Sequence, residues 1–313
     1  MKESSFVPDL FGDGEVEVVK NSFLFGEDNL PRRGKVRDIY DIGEELLIFA
    51  SDRISAFDHV IPSLIPRKGP SLHALSIFWF NKTASVYPNH LLESVDERTM
   101  RVLKAERIDV EWVARGYLYG SAWRTYQNGE RVISGVKFPN GLRLSEKLPE
   151  TVLTPTTKSE SGHDLEISKN EAVDKGIVTS EEWETLKEAT FKLYECYRSE
   201  AKRKGIIIPD FKLEFGRVKE GIIQIDEPPT HDSARFWSEK YYEVGKRQEG
   251  HCLDKEFLRS YLIKVGFMGE GSPPTLPLNI VDQISRRCVG SYSILSGQAT
   301  VEDFDLKTVE QIT

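Results

Sequence analysis

Apolar and polar positions alternate most strictly along Asp210-Phe211-Lys212-Leu213-Glu214-Phe215-Gly216. Successive side chains of an extended chain point to opposite faces. The pattern therefore predicts a strand that buries Phe211, Leu213 and Phe215 beneath a charged row of Asp210, Lys212 and Glu214. Ile222-Ile223-Gln224-Ile225-Asp226-Glu227 is a second β-prone run, and Gly216 to Gly221 supplies turn chemistry between the two. An antiparallel hairpin is expected, with Glu214 near Asp226. Two carboxylates and a lysine in one row can hold Mg²⁺ together with nucleotide phosphates; a solvent-facing strand of alternating charges is the plainer alternative.

The same patterning divides the rest of the chain. Leu46-Leu47-Ile48-Phe49-Ala50 reads as a strand after the turn Asp41-Ile42-Gly43-Glu44-Glu45, and Leu72, Leu75, Phe78 and Trp79 fall at helical spacing. Ile108 to Arg115 predicts a strand, and Gly116 to Arg124 a turn into a helix. Thr154 to Asp164 lacks periodicity and reads as a loop. Glu166-Ile167-Ser168 leads into a short helix, and Thr179-Ser180-Glu181-Glu182 is a capped entry to a longer one that ends near Lys202-Arg203-Lys204-Gly205. Pro228-Pro229-Thr230-His231 predicts a stiff loop, Leu253 to Leu262 a helix, and Val281 to Cys288 a last helix after Ser272-Pro273-Pro274 and Pro277. Neither internal repeats nor low-complexity segments stand out.

With 313 residues, 39% hydrophobic and 29% charged, the chain has the composition of a soluble globular protein long enough for two lobes. A net charge of −8 argues against general affinity for nucleic acid or anionic membrane, so an anionic substrate needs a local basic pocket. Cys196, Cys252 and Cys288 lack metal-ligand spacing and read as reduced bystanders. The polar Met1 to Pro8 start shows neither a signal nor a transit pattern, and no run reaches membrane-spanning length, which makes a cytoplasmic location the expectation.

Candidate chemistry lies where loops meet strands. Leu30-Pro31-Arg32-Arg33-Gly34-Lys35 is a basic glycine turn whose backbone can approach phosphate, with Lys35 adding a point charge; it fits neither the Walker A nor the G-x-G-x-x-G spacing, and a solvated hairpin tip is the alternative. Ser51-Asp52-Arg53-Ile54-Ser55-Ala56-Phe57-Asp58-His59 is a dense polar run after a strand, read either as a site or as a capped turn. Arg115 with Gly120-Ser121 can bind phosphate through a guanidinium fork and free N–H groups, unless Ser121 is a helix cap and Arg115 pairs with Glu111. Arg235 is a second anion ligand or a partner of Phe236 and Trp237. Lys255 and Arg259 lie four apart on one helix face, where such a pair is usually solvated.

Gly34-Lys35-Val36-Arg37-Asp38, the Ser51–Asp58 run, Glu111-Trp112-Val113-Ala114-Arg115 with Gly120-Ser121, and Asp210 to Gly216 together resemble the ordered motifs of the SAICAR synthetase family, from about Gly34 to Trp237. The Thr154–Asp164 loop and the Arg115-Gly116-Tyr117-Leu118 form look more like its yeast-type branch. This resemblance implies an α+β fold of two lobes with antiparallel sheets and a nucleotide cleft, reminiscent of ATP-grasp and kinase architecture. It implies an ATP-dependent ligase of purine biosynthesis that joins L-aspartate to 5-amino-1-(5-phosphoribosyl)imidazole-4-carboxylate through an acyl phosphate, with ATP and Mg²⁺ required. Its partners are then small molecules, with neither nucleic acid nor membrane among them, and its oligomeric state is left open.

Carried onto these positions, the resemblance gives Gly34, Lys35, Lys158, Lys212, Glu214 and Asp226 to ATP, with Glu214 and Asp226 as the metal carboxylates. It gives Arg115, Ser121, Asp164, Asp210, Arg235 and Arg259 to the ribotide, and Lys212, Lys35 and Asp210 to catalysis. Asp52, Arg53, Ser55 and Asp58 are the candidates for the L-aspartate side. The domain expectation is an antiparallel lobe over 1–110, a central α+β lobe over 111–250 and a helical segment over 251–313. Pro228-Pro229-Thr230-His231 departs from the usual spelling of its loop, and its rigidity bears on how Arg235 is aimed. A small-molecule kinase and a nonenzymatic ribotide sensor are the rival functions; the first needs no amine substrate, and the second has no need of intact Lys35, Lys212, Glu214 and Asp226.

Overall fold

The computed structural model describes residues 3–8, 15–25, 30–158 and 165–313. At its centre the strand Asp210–Val218 pairs antiparallel with Val110–Tyr117 on one side and Gly221–Ile225 on the other. Glu106–Arg107, Lys147–Leu153 and Thr156–Thr157 complete a six-stranded sheet. The hairpin turn is tighter than expected. Pairing continues through Arg217 and Ile222 to Val218 and Gly221, which leaves only Lys219 and Glu220 at the tip. Arg217 extends the strand because its guanidinium is anchored on Glu182, at 2.7 and 3.0 Å.

Alternation sorts the two faces as expected. Phe211, Leu213 and Phe215 are buried beneath the helix Ser180–Lys202, where Tyr194 stacks on Phe211 at 5.5 Å and Tyr197 meets it edge-on at 5.3 Å. Trp112 of the neighbouring strand packs on Trp183 of the same helix at 4.9 Å. Thr179 and Glu182 form a reciprocal capping box, as do Ser168 and Glu171 at the short helix Lys169–Asp174. Directly opposed residues share a face, so Arg115 beside Asp210 carries the charged row onto the neighbouring strand, while Val113 stands opposite Lys212.

A second antiparallel sheet has the order Arg32–Arg33, Arg37–Asp41, Glu45–Ala50, Thr99–Leu103, Leu91–Ser94. The helix Lys68–Thr83 packs on it through Phe80, which clusters with Ile48, Met100 and Val102, while its buried Leu75 and Trp79 join the core of the central sheet and Leu72 is buried as well. Near the start of the chain, Glu15–Asn21 pairs with Glu3–Pro8 and buries Val18 and Val19.

Two helices differ from their expected extents. Glu256–Lys264 starts three residues later than the apolar pattern suggests, because the Asp254 carboxylate accepts the N–H groups of Glu256 and Phe236, each at 2.7 Å, and turns the chain there. Leu278–Leu295 is much longer than Val281 to Cys288. Its stripe is interrupted by buried Ser285, Arg287 and Ser291; Arg287 lies 3.9 Å from the Phe257 ring and donates to the carbonyls of Gly250 and Lys307 at 2.9 and 2.8 Å. Among the described residues no helix is long and apolar enough to cross a membrane, and Cys196, Cys252 and Cys288 are free thiols.

Candidate active site

The polar face of the central strand carries two clusters, one at each end. At the Glu214 end, Lys212 Nζ donates to Glu214 Oε1 at 2.5 Å and Glu111 Oε1 at 2.9 Å, and lies 3.7 Å from Asp226. Lys158 reaches the same Glu214 oxygen from the loop beyond Thr157, and lies 3.5 Å from Glu111. Arg37 pairs with the Asp226 carboxylate and is 3.9 Å from Glu227. Asp226 follows the last paired residue, Ile225, in a left-handed conformation with φ of 64°. That backbone placement, uncommon for a residue with a Cβ, sets its carboxylate beside Glu214.

Burial and the adjacent Asp226 charge push the Glu214 carboxyl up, although both lysines oppose the shift. Burial acts the same way on Asp226, yet Arg37 and Lys212 outweigh it and hold that carboxyl well below the usual range. Lys212 is likewise disfavoured by burial but kept protonated by Glu214, Asp226 and Glu111. Among the described residues no three His, Cys, Asp or Glu side chains are arranged to hold a metal by themselves. Two hard carboxylates on adjoining strands nevertheless suit Mg²⁺, which takes few protein ligands and keeps phosphate or water oxygens for the rest.

The glycine turn sits beside this cluster. Gly34 N–H donates to the Arg37 carbonyl at 2.8 Å, and Lys35 pairs with Asp58 on the surface. Arg53 is buried and buttresses the turn: it donates to the carbonyls of Lys35 and Gly34 at 3.2 and 3.3 Å and to Asp38 at 2.7 Å. Asp52 is also enclosed, accepting the N–H groups of Val19 and Gly69 at 2.7 and 2.8 Å and pairing with Arg98 at 3.0 Å. Asp52 and Arg53 are therefore engaged in the framework. Asp58 instead lies at the tip of the tiny hairpin Ser55–Ala56/His59–Val60, where it and Phe57 have φ of 63° and 50°.

At the other end, Asp210 gathers two arginines. Arg235 Nη1 donates to both of its oxygens at 2.7 and 2.8 Å, and Arg115 Nη1 approaches at 3.4 Å. Arg115 turns away from Glu111: its Nε donates to Thr154 Oγ1 at 2.8 Å and its Nη2 to Ser121 Oγ at 3.0 Å. Tyr119, not Ser121, is the cap of the helix Gly120–Gln127. Gly120 has φ of 61°, and a Cβ there would lie 2.6 Å from Arg235 Nη2, so glycine allows the guanidinium to meet the helix start. Arg259 joins through Glu256, to which it donates at 2.6 Å.

The proline loop is pinned at several points. Thr230 Oγ1 donates to Glu227 at 2.7 Å, and Lys68 binds Asp232 at 2.6 Å with Lys255 3.3 Å away on the other side. The next residues are fixed by Phe236 N–H on Asp254, which aims Arg235 at Asp210.

Structure thus brings Lys158, Lys212, Glu214 and Asp226 into one cluster, and Arg115, Ser121, Asp210, Arg235 and Arg259 into another. Asp164 lies outside the described residues. The sequence pattern assigns no role to Arg37, Glu256 or Arg124, and offers Glu111 only as a partner of Arg115. Arg37 was accessible to it, being two residues from Lys35 on a strand, and so was Glu111, which falls in line with the charged row. Arg124 was not: only in the fold does it come near Arg235, Arg259 and Arg247, where burial and those positive charges lower its pKa.

Comparison with known proteins gives a consistent result. The family model described as SAICAR synthetase matches residues 30–274. A phosphoribosylaminoimidazole-succinocarboxamide synthase of Thermodesulfovibrio yellowstonii is 42% identical over 282 residues, covering 85% of this chain and 95% of that protein. The structure of SAICAR synthase from Saccharomyces cerevisiae complexed with SAICAR superimposes with a TM-score of 0.79 at 35% identity, covering 90% of this chain and 98% of the other. A SAICAR synthetase in complex with ADP shares the fold, with a TM-score of 0.62 at 23% identity over 84% of this chain and 98% of that one.

Proposed function

The chain belongs to the SAICAR synthetase family, and from that premise we propose how its two clusters divide the work of an ATP-dependent ligase. The reaction joins L-aspartate to 5-amino-1-(5-phosphoribosyl)imidazole-4-carboxylate and gives SAICAR, ADP and phosphate. One observation carries the assignment. Asp210 and Glu214 stand on one face of one strand, four residues or about 13 Å apart, each at the centre of a cluster suited to a different phosphate.

The arginine end takes the ribotide. Arg115 and Arg235 are held as forks by Asp210, Thr154 and Ser121, and planar guanidinium groups so fixed match a phosphate in two bonds each. The Glu214 end takes the nucleotide, in keeping with the ADP complex of a related fold. Glu214 and Asp226 would hold Mg²⁺, which supplies charge neutralisation between the phosphates when bound. The Gly34 turn and Lys35 cover the phosphates, while Lys158 and Lys212 face the group in flight. Asp58 and Ser55 are the members of the polar run left for L-aspartate. The cleft then lies between the lobe of residues 1–110 and that of 111–250, and free thiols suit a cytoplasmic setting.

A carboxylate resists attack by an amine until one oxygen becomes a leaving group. The ribotide carboxylate oxygen attacks the γ-phosphorus of ATP, ADP departs, and the resulting acyl phosphate is attacked by the aspartate amine. The carbon–oxygen bond then breaks, the amine loses a proton, and phosphate leaves with the oxygen that began on the carboxylate. A ribotide labelled with ¹⁸O in that carboxylate tests the sequence. One labelled oxygen per phosphate released is expected, and unlabelled phosphate alongside SAICAR would rule the acyl phosphate out.

A further inference from the structure

Every guanidinium assigned to the ribotide phosphate already faces a carboxylate of the protein, and the two carboxylates involved do different things. Asp210 binds Arg235 through both oxygens and touches Arg115, so it sets the direction of two forks. Glu256 is placed otherwise. Its Oε1 accepts from Arg259 Nη1 at 2.6 Å and stands 3.5 Å from Arg235 Nε, while its Oε2 is 3.4 Å from the Tyr119 hydroxyl. The buried Arg235 Nε has no hydrogen-bond partner among the described residues: Glu256 is near enough to attract it but not aligned to bond it. Arg235 itself is held by Asp210 and by the Tyr119 ring 5.1 Å from its guanidinium carbon, and it lies so close to Gly120 that a Cβ there would be 2.6 Å from its Nη2.

We propose that Glu256 is a specificity-determining residue of the phosphate subsite, an internal counter-anion that competes with a phosphomonoester for Arg235 and Arg259 and so limits its affinity. This rests on the ribotide assignment above. Arg235 does not depend on Glu256 for its orientation, so loss of the Glu256 charge leaves the fork in place while removing repulsion between a fixed carboxylate and an incoming dianion. Glu256 is mostly buried, where a unit charge a few ångströms away is weakly screened. The adjoining positive charges of Arg235 and Arg259 hold its carboxyl down against burial, so it remains an anion at neutral pH. A subsite holding Arg115, Arg235 and Arg259 with Asp210 as its sole counter-charge would bind substrate and product phosphates tightly and slow release. Glu256 keeps that exchange fast.

The test measures Kd for inorganic phosphate and for the carboxyaminoimidazole ribotide at constant ionic strength, in the wild type and in Glu256→Gln and Glu256→Asp. Glu256→Gln keeps the size and one oxygen acceptor, and is expected to bind both ligands about tenfold more tightly, as removal of one weakly screened charge implies. Its affinity for the unphosphorylated nucleoside should not change. Glu256→Asp, which keeps the charge, should stay within a few-fold of wild type. A purely structural Glu256 would give the reverse, with phosphate bound more weakly in Glu256→Gln of wild-type melting temperature, and that result would overturn the proposal. If the wild type binds no ribotide while Glu256→Gln still gains affinity for inorganic phosphate, the ribotide reading fails and the counter-anion role stands.

Discussion

Lys212 and Glu214, two residues apart on one strand, form a 2.5 Å ion pair that closes one end of a continuous polar face. Strand alternation makes the pair possible, and the helix Ser180–Lys202 packed on the opposite face anchors the strand that carries it. Glu214 is held by two lysines while burial and Asp226 resist its charge, so the site is poised to exchange some of that lysine pairing for a cation and phosphates.

Glu214→Gln should therefore lower kcat by about a thousandfold or more, the scale of removing a group that stabilises transferring charge. Lys212 keeps Glu111 and Asp226 as partners, so the fold should persist. Steady-state rates together with a thermal melt check this. A folded variant within tenfold of the wild type would remove Glu214 from the metal and nucleotide site.

Gly120→Ala addresses the other end. The new Cβ would lie 2.6 Å from Arg235 Nη2 at a φ of 61°, so the guanidinium must shift and the backbone is strained. The KM for the ribotide should rise about tenfold or more while that for ATP changes little. Equal increases in both values would mean that Gly120 supports the fold and not the phosphate subsite.

Stability should fall on mild acidification. His73, His90 and His231 are buried and kept neutral, with pKa values lowered to about 4, 3 and 3, chiefly by desolvation. Each binds its proton more readily when unfolded, so its contribution is complete above about 6.5 and is lost as pH falls toward those values, at up to about 1.4 kcal/mol per pH unit. Asp254, pushed up to about 6 by burial and by Glu256, works in the opposite sense, because the folded state takes up its proton first. Glu214, Glu227 and Glu249, also raised by burial, act with Asp254, while carboxylates held low by cations, such as Asp232 and Glu182, act with the histidines, and the balance should leave the protein less stable at pH 5 than at pH 7. Urea unfolding at pH 7 and pH 5 measures it, and equal stabilities would contradict the buried neutral histidines.

The central hairpin was legible because period-2 alternation reports strand faces directly, and Thr179 and Ser168 marked helix starts through their own side chains. Positions set by distant contacts were not legible. Asp52 reads like a site residue in sequence, yet its partners Val19, Gly69 and Arg98 come from three separate segments. Glu256 looks like an ordinary helix residue until the 228–236 loop carries Arg235 to it. The start of its helix is hidden from the sequence for a similar reason, since Asp254 turns the chain through a bond to Phe236, eighteen residues earlier.

As a member of the SAICAR synthetase family, this protein couples ATP cleavage to amide formation. The most direct measurement follows ADP and SAICAR together, with Mg·ATP and the carboxyaminoimidazole ribotide present and L-aspartate added or withheld. The two products should rise in equal amounts, and SAICAR should form only when all three substrates are present. ADP formed at the same rate without aspartate and with no SAICAR in the complete mixture would contradict the ligase and leave a phosphoryl transferase in its place.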